Sequence, residues 1–354
     1  MTIKKILIPQ HTKIRDTYSI DRFIGEGAFG GVYKTRHKYL GIQALKIFHP
    51  GSISKEQEPL LFNEAYILSR ITHDNIVRVY EANTFEYDNC KYCYIAMEYV
   101  EGGTLADYIN SEIKVPIEIA IGIQKDICCG LSKLHSAEPP LVHRDVKPQN
   151  IMLSVKERKL IAKVSDFGLA KHVDPVTRIT EAAGTLAYLP PEGFWDYESP
   201  ASDVFSMGII FYTMVTGIPP YKMPSGYQAT KKNEIKSAIK ASRNKIPPLP
   251  SQFNPDLDNG IDEIILKALA PDIKNRFANA QEFYDSIIQY ELQKIKIPDQ
   301  NIEKALVMGK QYSKLKEAIK LLEDSISQQP KDRQKILKAK YSETLRNWKK
   351  GVVM

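Results

Sequence analysis

Short apolar runs separated by polar turns dominate the first hundred positions of this 354-residue chain. Four of these runs predict strands, at residues 18–24, 32–35, 43–48 and 92–97. A helical pattern interrupts them at residues 60–68, and helical patterns such as residues 119–134 prevail afterwards. A strand-containing first part followed by a mostly helical remainder predicts an α+β fold.

The length of the chain predicts more than one core. Its 354 residues exceed the roughly 250–300 at which a single core usually stops growing. The longest apolar run, residues 207–215, is shorter than the roughly 18–20 residues that span a bilayer. The first nine residues have too short an apolar stretch for a secretory signal. We therefore expect no membrane partner and a cytoplasmic location.

Cys90 and Cys93 form a C-x-x-C pair, which is a spacing that zinc sites use. The other two cysteines, Cys128 and Cys129, are adjacent within a helical pattern and do not supply a second pair at a suitable spacing. Strand alternation also directs the members of the first pair differently. We expect ordinary thiols in a reducing compartment rather than zinc ligands.

The run HRDVKPQN at residues 143–150 carries the strongest chemical signal, together with DFG at residues 166–168. Asp145 and Asn150 lie five residues apart, so a carboxylate can orient a hydroxyl nucleophile while a carboxamide helps to hold a metal ion. Asp166 adds the hard anionic oxygens that Mg²⁺ prefers when it also bridges nucleotide phosphates. Phosphoryl transfer needs this equipment, because it depends on positioning and charge neutralisation.

A glycine-rich run, GEGAFGGV at residues 25–32, lies between two predicted strands. Glycines allow a backbone to pass close to phosphates, but dinucleotide-binding folds use the G-x-G-x-x-G pattern too. Those folds continue directly into a helix, whereas a second strand follows here. The sequence therefore favours a phosphate-covering hairpin.

These motifs, in this order, resemble those of eukaryotic-type serine/threonine protein kinases of the soluble bacterial kind. The resemblance implies a bilobal fold with a β-rich small lobe and a helical large lobe, and it implies ATP and Mg²⁺. It places an N-terminal extension at residues 1–17 and the kinase domain at 18–291. Within that domain the small lobe is 18–97, the hinge 98–101 and the large lobe 102–291.

The resemblance also implies individual roles in the active site. Asp145 orients the hydroxyl, Lys147 neutralises the γ-phosphate, and Asn150 and Asp166 hold metal. Lys46 and Glu64 form the ion pair that fixes the α- and β-phosphates, although a lysine in an edge strand can also be a solubility residue. The residues expected around the nucleotide are Gly25, Gly27, Gly30, Val32, Ala44, Lys46, Glu98, Val100 and Met152.

Three further motifs match the large lobe of this family. Residues 184–192, GTLAYLPPE, resemble the end of the activation segment and the substrate platform, with Pro-Pro-Glu in place of Ala-Pro-Glu. Asp203 begins the central helix and is expected to hold the backbone of the catalytic loop. Arg276 is expected to pair with Glu192. Each charge taken alone would more often be a solvated surface residue.

The activation segment offers candidate phosphorylation sites. Arg144 precedes Asp145, and kinases with this arginine commonly need a phosphate to neutralise it. Lys171 could join Arg144 in receiving that phosphate. The candidate acceptors are Thr177 and Thr180, while Glu181 is an alternative acidic substitute. Thr185 is expected to brace Asp145 and Lys147.

The positions that would select arginine before the acceptor carry no charge. By resemblance these positions are Thr104, Gln149 and Thr213, although Glu101 and Asp107 lie close enough to substitute. Leu169 follows the DFG motif and is of the type associated with serine acceptors. We expect no strong demand for upstream arginine and a modest preference for serine.

The last part of the chain, residues 298–354, is a basic helical extension. It has 13 Lys and Arg against 7 Asp and Glu, which accounts for +6 of the net charge of +7. Residues 312–330 resemble the back half of a tetratricopeptide repeat, and one partial repeat cannot bury its own face. We expect the extension to pack on the large lobe or on a protein partner. Nucleic-acid binding is the disfavoured alternative, since the lysines are spread around the helices.

Three functions compete on these observations. The first is ATP- and Mg²⁺-dependent phosphorylation of serine or threonine on protein substrates, including the activation segment of the enzyme itself. The second is a catalytically weak kinase-fold scaffold that acts through its helical tail, which the complete set of catalytic residues disfavours. The third is a small-molecule kinase, which shares the catalytic Asp and Asn but lacks the platform at residues 184–192.

Overall fold

The computed structural model describes residues 7–27, 30–157, 159–167, 186–194, 199–221, 232–294, 300–328 and 331–353. Lys171, Thr177, Thr180 and Thr185, which the sequence assigns to the activation segment, lie outside these ranges, as does Leu169. The chain divides into two compact units, with the division between Tyr284 and Asp285.

The first unit begins with a six-stranded antiparallel sheet. Its strands are β1 (Lys13–Ile14), β2 (Tyr18–Gly27), β3 (Gly30–His37), β4 (Gly41–Phe48), β5 (Val79–Tyr87) and β6 (Cys90–Glu98). They are ordered β1-β2-β3-β4-β6-β5 in the sheet. Helix α1 (Glu58–Ser69) packs against β5. All four predicted strands and the predicted first helix are present, because alternating burial on a sheet and the 3.6-residue helical period leave distinct sequence patterns.

The N-terminal segment extends this sheet before the boundary expected at residue 18. β1 pairs with β2, and Ile8 and Ile14 are buried in the same apolar cluster as Leu45. The backbone N–H of Ile8 donates to the hydroxyl of Tyr33 at 3.1 Å. Residues 8–14 are therefore a structural part of the small lobe.

The large lobe is mainly helical. Its helices are α2 (Leu105–Ser111), α3 (Ile117–His135), α4 (Pro200–Thr216), α5 (Lys232–Arg243), α6 (Asn259–Ala268) and α7 (Ala280–Lys294). A hairpin of β7 (Ile151–Lys156) and β8 (Lys159–Val164) follows the catalytic loop. Almost every residue of α4 is buried, so this helix is the central support of the lobe. The predicted α+β bilobal fold is confirmed.

The second unit consists largely of α8 (Gln300–Met308), α9 (Leu315–Ser327) and α10 (Lys331–Lys349). These helices bury a cluster of their own that includes Ile302, Leu322 and Trp348. Gly309 is required at the end of α8, since a Cβ there would lie 2.0 Å from the Trp348 ring. The sequence predicts a helical extension over residues 298–354, and helices are present there, but it does not delimit α10, whose apolar positions are few and widely spaced. The third helix gives the extension an internal core, while the repeat resemblance stays a prediction.

Candidate active site

The catalytic loop is held by one buried carboxylate at the start of α4. Asp203 accepts the backbone N–H of His143 on Oδ2 at 2.7 Å and that of Arg144 on Oδ1 at 2.9 Å. Arg144 has a φ of 70°, which a non-glycine residue adopts only where its surroundings impose it. The predicted role of Asp203 in holding this loop agrees with its hydrogen bonds.

His135, which the sequence did not single out, is the third partner of Asp203. Its Nε2 lies 3.0 Å from Oδ2, and its Nδ1 accepts the N–H of Ala280 at 3.2 Å. Because Nδ1 is an acceptor, the proton is on Nε2 and the neutral ring donates to the carboxylate. Burial alone would raise the pKa of Asp203, but the hydrogen bond from His135 and the backbone donor of His143 hold that pKa below its ordinary value.

Asp145, Lys147 and Asn150 converge as the sequence predicts. Oδ2 of Asp145 lies 2.8 Å from Nζ of Lys147 and accepts Nδ2 of Asn150 at 2.9 Å. Nδ2 of Asn150 also donates to the main-chain carbonyl of Asp145 at 2.8 Å. Oδ1 of Asp145 is buried and makes no hydrogen bond within the part of the chain that the structure describes. One carboxylate oxygen is thus fixed while the other remains an acceptor.

Ser165 and His143 join this loop to Asp166. The Ser165 N–H and hydroxyl donate to the carbonyl of Asn150 at 2.8 and 3.0 Å. Nε2 of His143 donates to the Ser165 carbonyl at 2.9 Å, since its Nδ1 accepts the Asp145 N–H at 3.2 Å. The His143 ring also lies 5.0 Å from the ring of Phe167. Hydrogen bonds to the backbone therefore connect the catalytic loop, residues 143–150, to the segment that carries Asp166 and Phe167.

Lys46 and Asp166 bring the two lobes together. Nζ of Lys46 lies 2.8 Å from Oδ1 of Asp166, although the residues are 120 positions apart. Burial by itself raises the pKa of Asp166, but the charge and hydrogen bond of Lys46 bring it below its ordinary value. Glu64 lies half-buried on α1. Its pairing with Lys46 stays a prediction.

The nucleotide-covering hairpin has the predicted antiparallel form. Gly27 pairs with Gly30, and Gly25 pairs with Val32. A Cβ at Gly30 would lie 2.1 Å from the carbonyl oxygen of Ile47, so only glycine fits there. A Cβ at Gly25 would meet no atom of the described residues within 4 Å.

The other predicted adenine contacts lie on strands of both lobes. Ala44 pairs with Met97 across β4 and β6, while Met152 is on β7 and forms a bridge to Thr104. Behind Met97 is an apolar pocket. It is lined by Ala65, Leu68, Val77, Val79, Ile95, Met97, Asp166 and Phe167.

The hinge is tied to the large lobe by an ion pair that the sequence analysis missed. Glu98 lies 2.8 Å from Nζ of Lys163, and its N–H donates to the Arg78 carbonyl at 2.8 Å. Val100 is buried at the hinge. Lys163 on β8 gave no signal in the sequence, because a lysine in a short strand next to a turn normally faces solvent.

The donor set at the catalytic centre fits a magnesium ion. Among the described residues no group of three or more His, Cys, Asp or Glu side chains could hold a metal. Asp166 and the amide oxygen of Asn150 remain, because the amide nitrogen is used by Asp145. Mg²⁺ is typically bound by one or two protein oxygens together with water and substrate phosphates. Cys90 and Cys93, the C-x-x-C pair, are free thiols within β6.

Glu192 and Arg276 form the predicted ion pair. Nη1 and Nη2 of Arg276 donate to Oε1 and Oε2 of Glu192 at 2.6 and 2.9 Å. This two-bond geometry fixes the guanidinium against the carboxylate. The Ser202 hydroxyl adds a third hydrogen bond, to Oε1 at 2.8 Å. Pro-Pro-Glu in place of Ala-Pro-Glu therefore leaves this ion pair of the glutamate in place.

The arrangement of these residues matches a known family. The family model described as "Protein kinase domain" matches residues 18–343. The chain belongs to this family. The match continues past the division between the two compact units.

Curated relatives and solved structures agree with this assignment. The chain is 33% identical over 287 residues to a probable serine/threonine-protein kinase of Clostridium perfringens, covering 79% of this chain and 38% of that protein. It is 31% identical over 297 residues to the serine/threonine-protein kinase PknB of Mycobacterium leprae, covering 79% and 44%. The PknI kinase domain of Mycobacterium tuberculosis has the same fold, with a TM-score of 0.60, 23% identity, and coverage of 80% and 99%.

The chain spans only about two fifths of the length of these curated relatives. Among the residues that the structure describes, no helix combines the length and apolar character that a membrane span requires.

Proposed function

We propose that this protein transfers the γ-phosphoryl group of ATP to serine or threonine hydroxyls of protein substrates. The observation that carries the proposal is the asymmetry of the Asp145 carboxylate. Oδ2 is held by Lys147 and Asn150, while Oδ1 is buried without a hydrogen bond within the described ranges. An acceptor so placed can orient a hydroxyl and receive its proton.

The neighbouring cations supply the charge that the reaction needs. Nζ of Lys147 lies against Asp145. It can therefore neutralise the charge of the γ-phosphoryl group as that group reaches the hydroxyl. Lys46, held by Asp166, is placed to bind the phosphates that stay on the nucleotide. Asn150 and Asp166 would hold Mg²⁺. When bound, this ion neutralises the negative charge that develops on the phosphate oxygens.

Protein substrates fit this chain better than small molecules. Residues 186–192 are hydrogen-bonded to Ser206 on α4, the helix whose Asp203 holds the catalytic loop, and two arginines anchor them. A segment held at several points, on the same helix as the catalytic loop, suits a polypeptide substrate. Both curated relatives described above are named as serine/threonine-protein kinases. The scaffold alternative has no comparable support, and a cytoplasmic location stays a prediction.

Lys46→Met provides the test of this proposal. We expect the rate of phosphate transfer from Mg·ATP to casein to fall by about a hundredfold or more. One preorganised group beside the charge that develops on the phosphate in the transition state accounts for a rate effect of that order. The product should be phosphoserine and phosphothreonine, identified by mass spectrometry. Lys91→Met is the matched control, because Lys91 is exposed on the same sheet and pairs with Glu58.

The two alternative functions give different results in this assay. A scaffold would give wild-type and Lys46→Met proteins with equally low rates. A small-molecule kinase would hydrolyse ATP, or transfer its γ-phosphoryl group to a small molecule, without labelling casein. An active Lys46→Met protein would contradict the role given to Lys46.

Substrate selection should show little demand for arginine before the acceptor. Thr104 caps α2, and Asp107 accepts the Thr104 hydroxyl and N–H at 2.7 and 2.9 Å, which holds the pKa of Asp107 below its ordinary value. Thr213 donates to the Ile209 carbonyl on α4 at 2.8 Å. Asp107 is thus committed to the helix cap, which leaves exposed Glu101 as the nearby acid named above.

A positional peptide array tests this expectation. Arginine two or three residues before the acceptor should change the rate by less than about fivefold, the size of one exposed ion pair. Serine acceptors should be modestly preferred over threonine. An array dominated by upstream arginine and threonine would overturn both expectations, and Glu101→Gln would then identify the acid responsible.

A further inference from the structure

Arg243, the last residue of α5, is a buried cation with an unusual set of partners. The residue is 1% exposed, and its Nη2 donates to the main-chain carbonyl of Ala187 at 2.7 Å and reaches that of Leu186 at 3.5 Å. Among the residues described, no carboxylate contacts it, whereas buried arginines are normally paired. Its guanidinium carbon lies 4.3 Å from the centre of the Tyr221 ring. The charge therefore interacts with a backbone segment and an aromatic face.

The Tyr221 ring connects Arg243 to the Glu192 ion pair. Tyr221 is stacked on Phe205, with ring centres 6.1 Å apart and planes at 13°. The guanidinium of Arg276 covers the other ring at 4.7 Å from the Phe205 centre, and Arg276 binds Glu192 through two hydrogen bonds. Two cations and two aromatic rings thus form one continuous stack, in which each cation–ring contact is favourable.

Both ends of this stack hold the same short segment, residues 186–192. Arg243 holds its beginning through the carbonyl of Ala187, and Arg276 holds its end through Glu192. In between, the Ser206 hydroxyl on α4 donates to the carbonyl of Tyr188 at 2.8 Å. The segment is therefore fixed at three points.

Helix α4 places this segment beside the catalytic loop. Ser206 is three residues after Asp203, so both side chains lie on the same face of α4. Asp203 holds the loop that contains Asp145, while Ser206 holds residues 186–192. The loop that contains Asp145 and residues 186–192 are thus both anchored on one face of the same helix.

We propose that Arg243 is a positioning residue for protein substrates: it orients the carbonyls at the start of residues 186–192, against which the acceptor chain binds. This inference rests on the proposed kinase function. A guanidinium suits the task because its planar fork can bond carbonyls while its face stacks on Tyr221. Burial lowers the pKa of Arg243 to about 10, so the group stays protonated at neutral pH. An apolar side chain would avoid the cost of burying this charge, but it would leave the carbonyls unoriented.

The experiment measures casein phosphorylation and ATP dependence separately, in full-length protein. Arg243→Met should raise the KM for casein about tenfold or more, because a hydrogen bond from a charged donor is lost, while kcat and the KM for ATP stay within about twofold. Arg243→Lys keeps the charge but not the fork, so its KM should be intermediate. Lys114→Met is the control, since Lys114 is an exposed cation that donates to the main-chain carbonyl of Phe253 at 2.8 Å, outside residues 186–192.

The split between KM and kcat distinguishes positioning from general support of the fold. A purely structural role would lower the unfolding midpoint and the amount of active enzyme, which lowers kcat with both KM values unchanged. Unaltered casein kinetics in Arg243→Met, or an equal loss for Arg243→Lys, would also overturn the proposal. Failure of the kinase function itself gives another result: the wild-type protein does not label casein at all.

Discussion

Asp166→Asn is expected to reduce phosphate transfer by about a thousandfold or more while the protein remains folded. The variant keeps the shape of the side chain but removes the charge that pairs with Lys46 at 2.8 Å and that would hold Mg²⁺. Several kcal/mol of transition-state stabilisation depend on a metal in such a site, and each 1.36 kcal/mol is a tenfold change in rate. Single-turnover transfer from labelled ATP to casein measures the loss.

Titration with Mg²⁺ shows where the loss arises. Wild-type activity should vanish with excess chelator and return with Mg²⁺, whereas Asp166→Asn should require much more Mg²⁺ and recover little activity. Asp256→Asn is the matched control, because Asp256 is exposed in a loop of the large lobe. Wild-type activity in Asp166→Asn would remove this residue from the metal site.

Asp203→Asn is expected to damage both stability and catalysis. Asp203 accepts hydrogen bonds from His135, His143 and Arg144, and its side chain is 2% exposed. In the amide, an NH₂ group must face one of these donors and the buried charge is lost. We expect the free energy of unfolding to fall by about 3 kcal/mol, as for other broken buried charge interactions. The catalytic loop loses its anchor, so kcat should fall at least about tenfold.

A second buried aspartate separates the two effects. Asp262, on α6, is 3% exposed and accepts the N–H and hydroxyl of Ser251. Its carboxylate thus bonds Ser251 rather than the backbone of the catalytic loop. Asp262→Asn should lower the unfolding midpoint in denaturant without lowering kcat per folded molecule. If Asp203→Asn behaves in the same way, Asp203 supports the fold alone.

The pH dependence of unfolding gives an independent check on Asp203. Because the pKa of this carboxyl is lowered in the folded state, the unfolded state binds its proton first as the pH falls. The stabilisation is complete above the unfolded pKa of about 3.9 and is lost progressively below it. Asp203→Asn should therefore show a smaller loss of stability between about pH 5 and pH 2 than the wild type.

Much of the active site could be predicted because its residues are close together in the chain. Asp145, Lys147 and Asn150 lie within six positions, so their spacing limits the chemistry that they can perform. The strands around the glycine-rich run and the long helix α3 also follow from local periodicity, since burial on one face leaves a regular pattern. The bounds of α10 could not be predicted because its sequence is mostly charged and polar.

The sequence by itself determined the chemistry proposed for this protein: an acceptor carboxylate, two lysines and two side chains expected to bind a metal ion, in a kinase order. Only the tertiary structure decided how these groups are supported. Three supporting residues have no motif of their own: His135, Lys163 and Arg243. Each forms a hydrogen bond with a residue between 56 and 68 positions away in the chain. Whether such a side chain faces solvent or a distant carbonyl depends on how helices and strands pack. That packing is set by contacts across the whole lobe, which no local pattern of residues records.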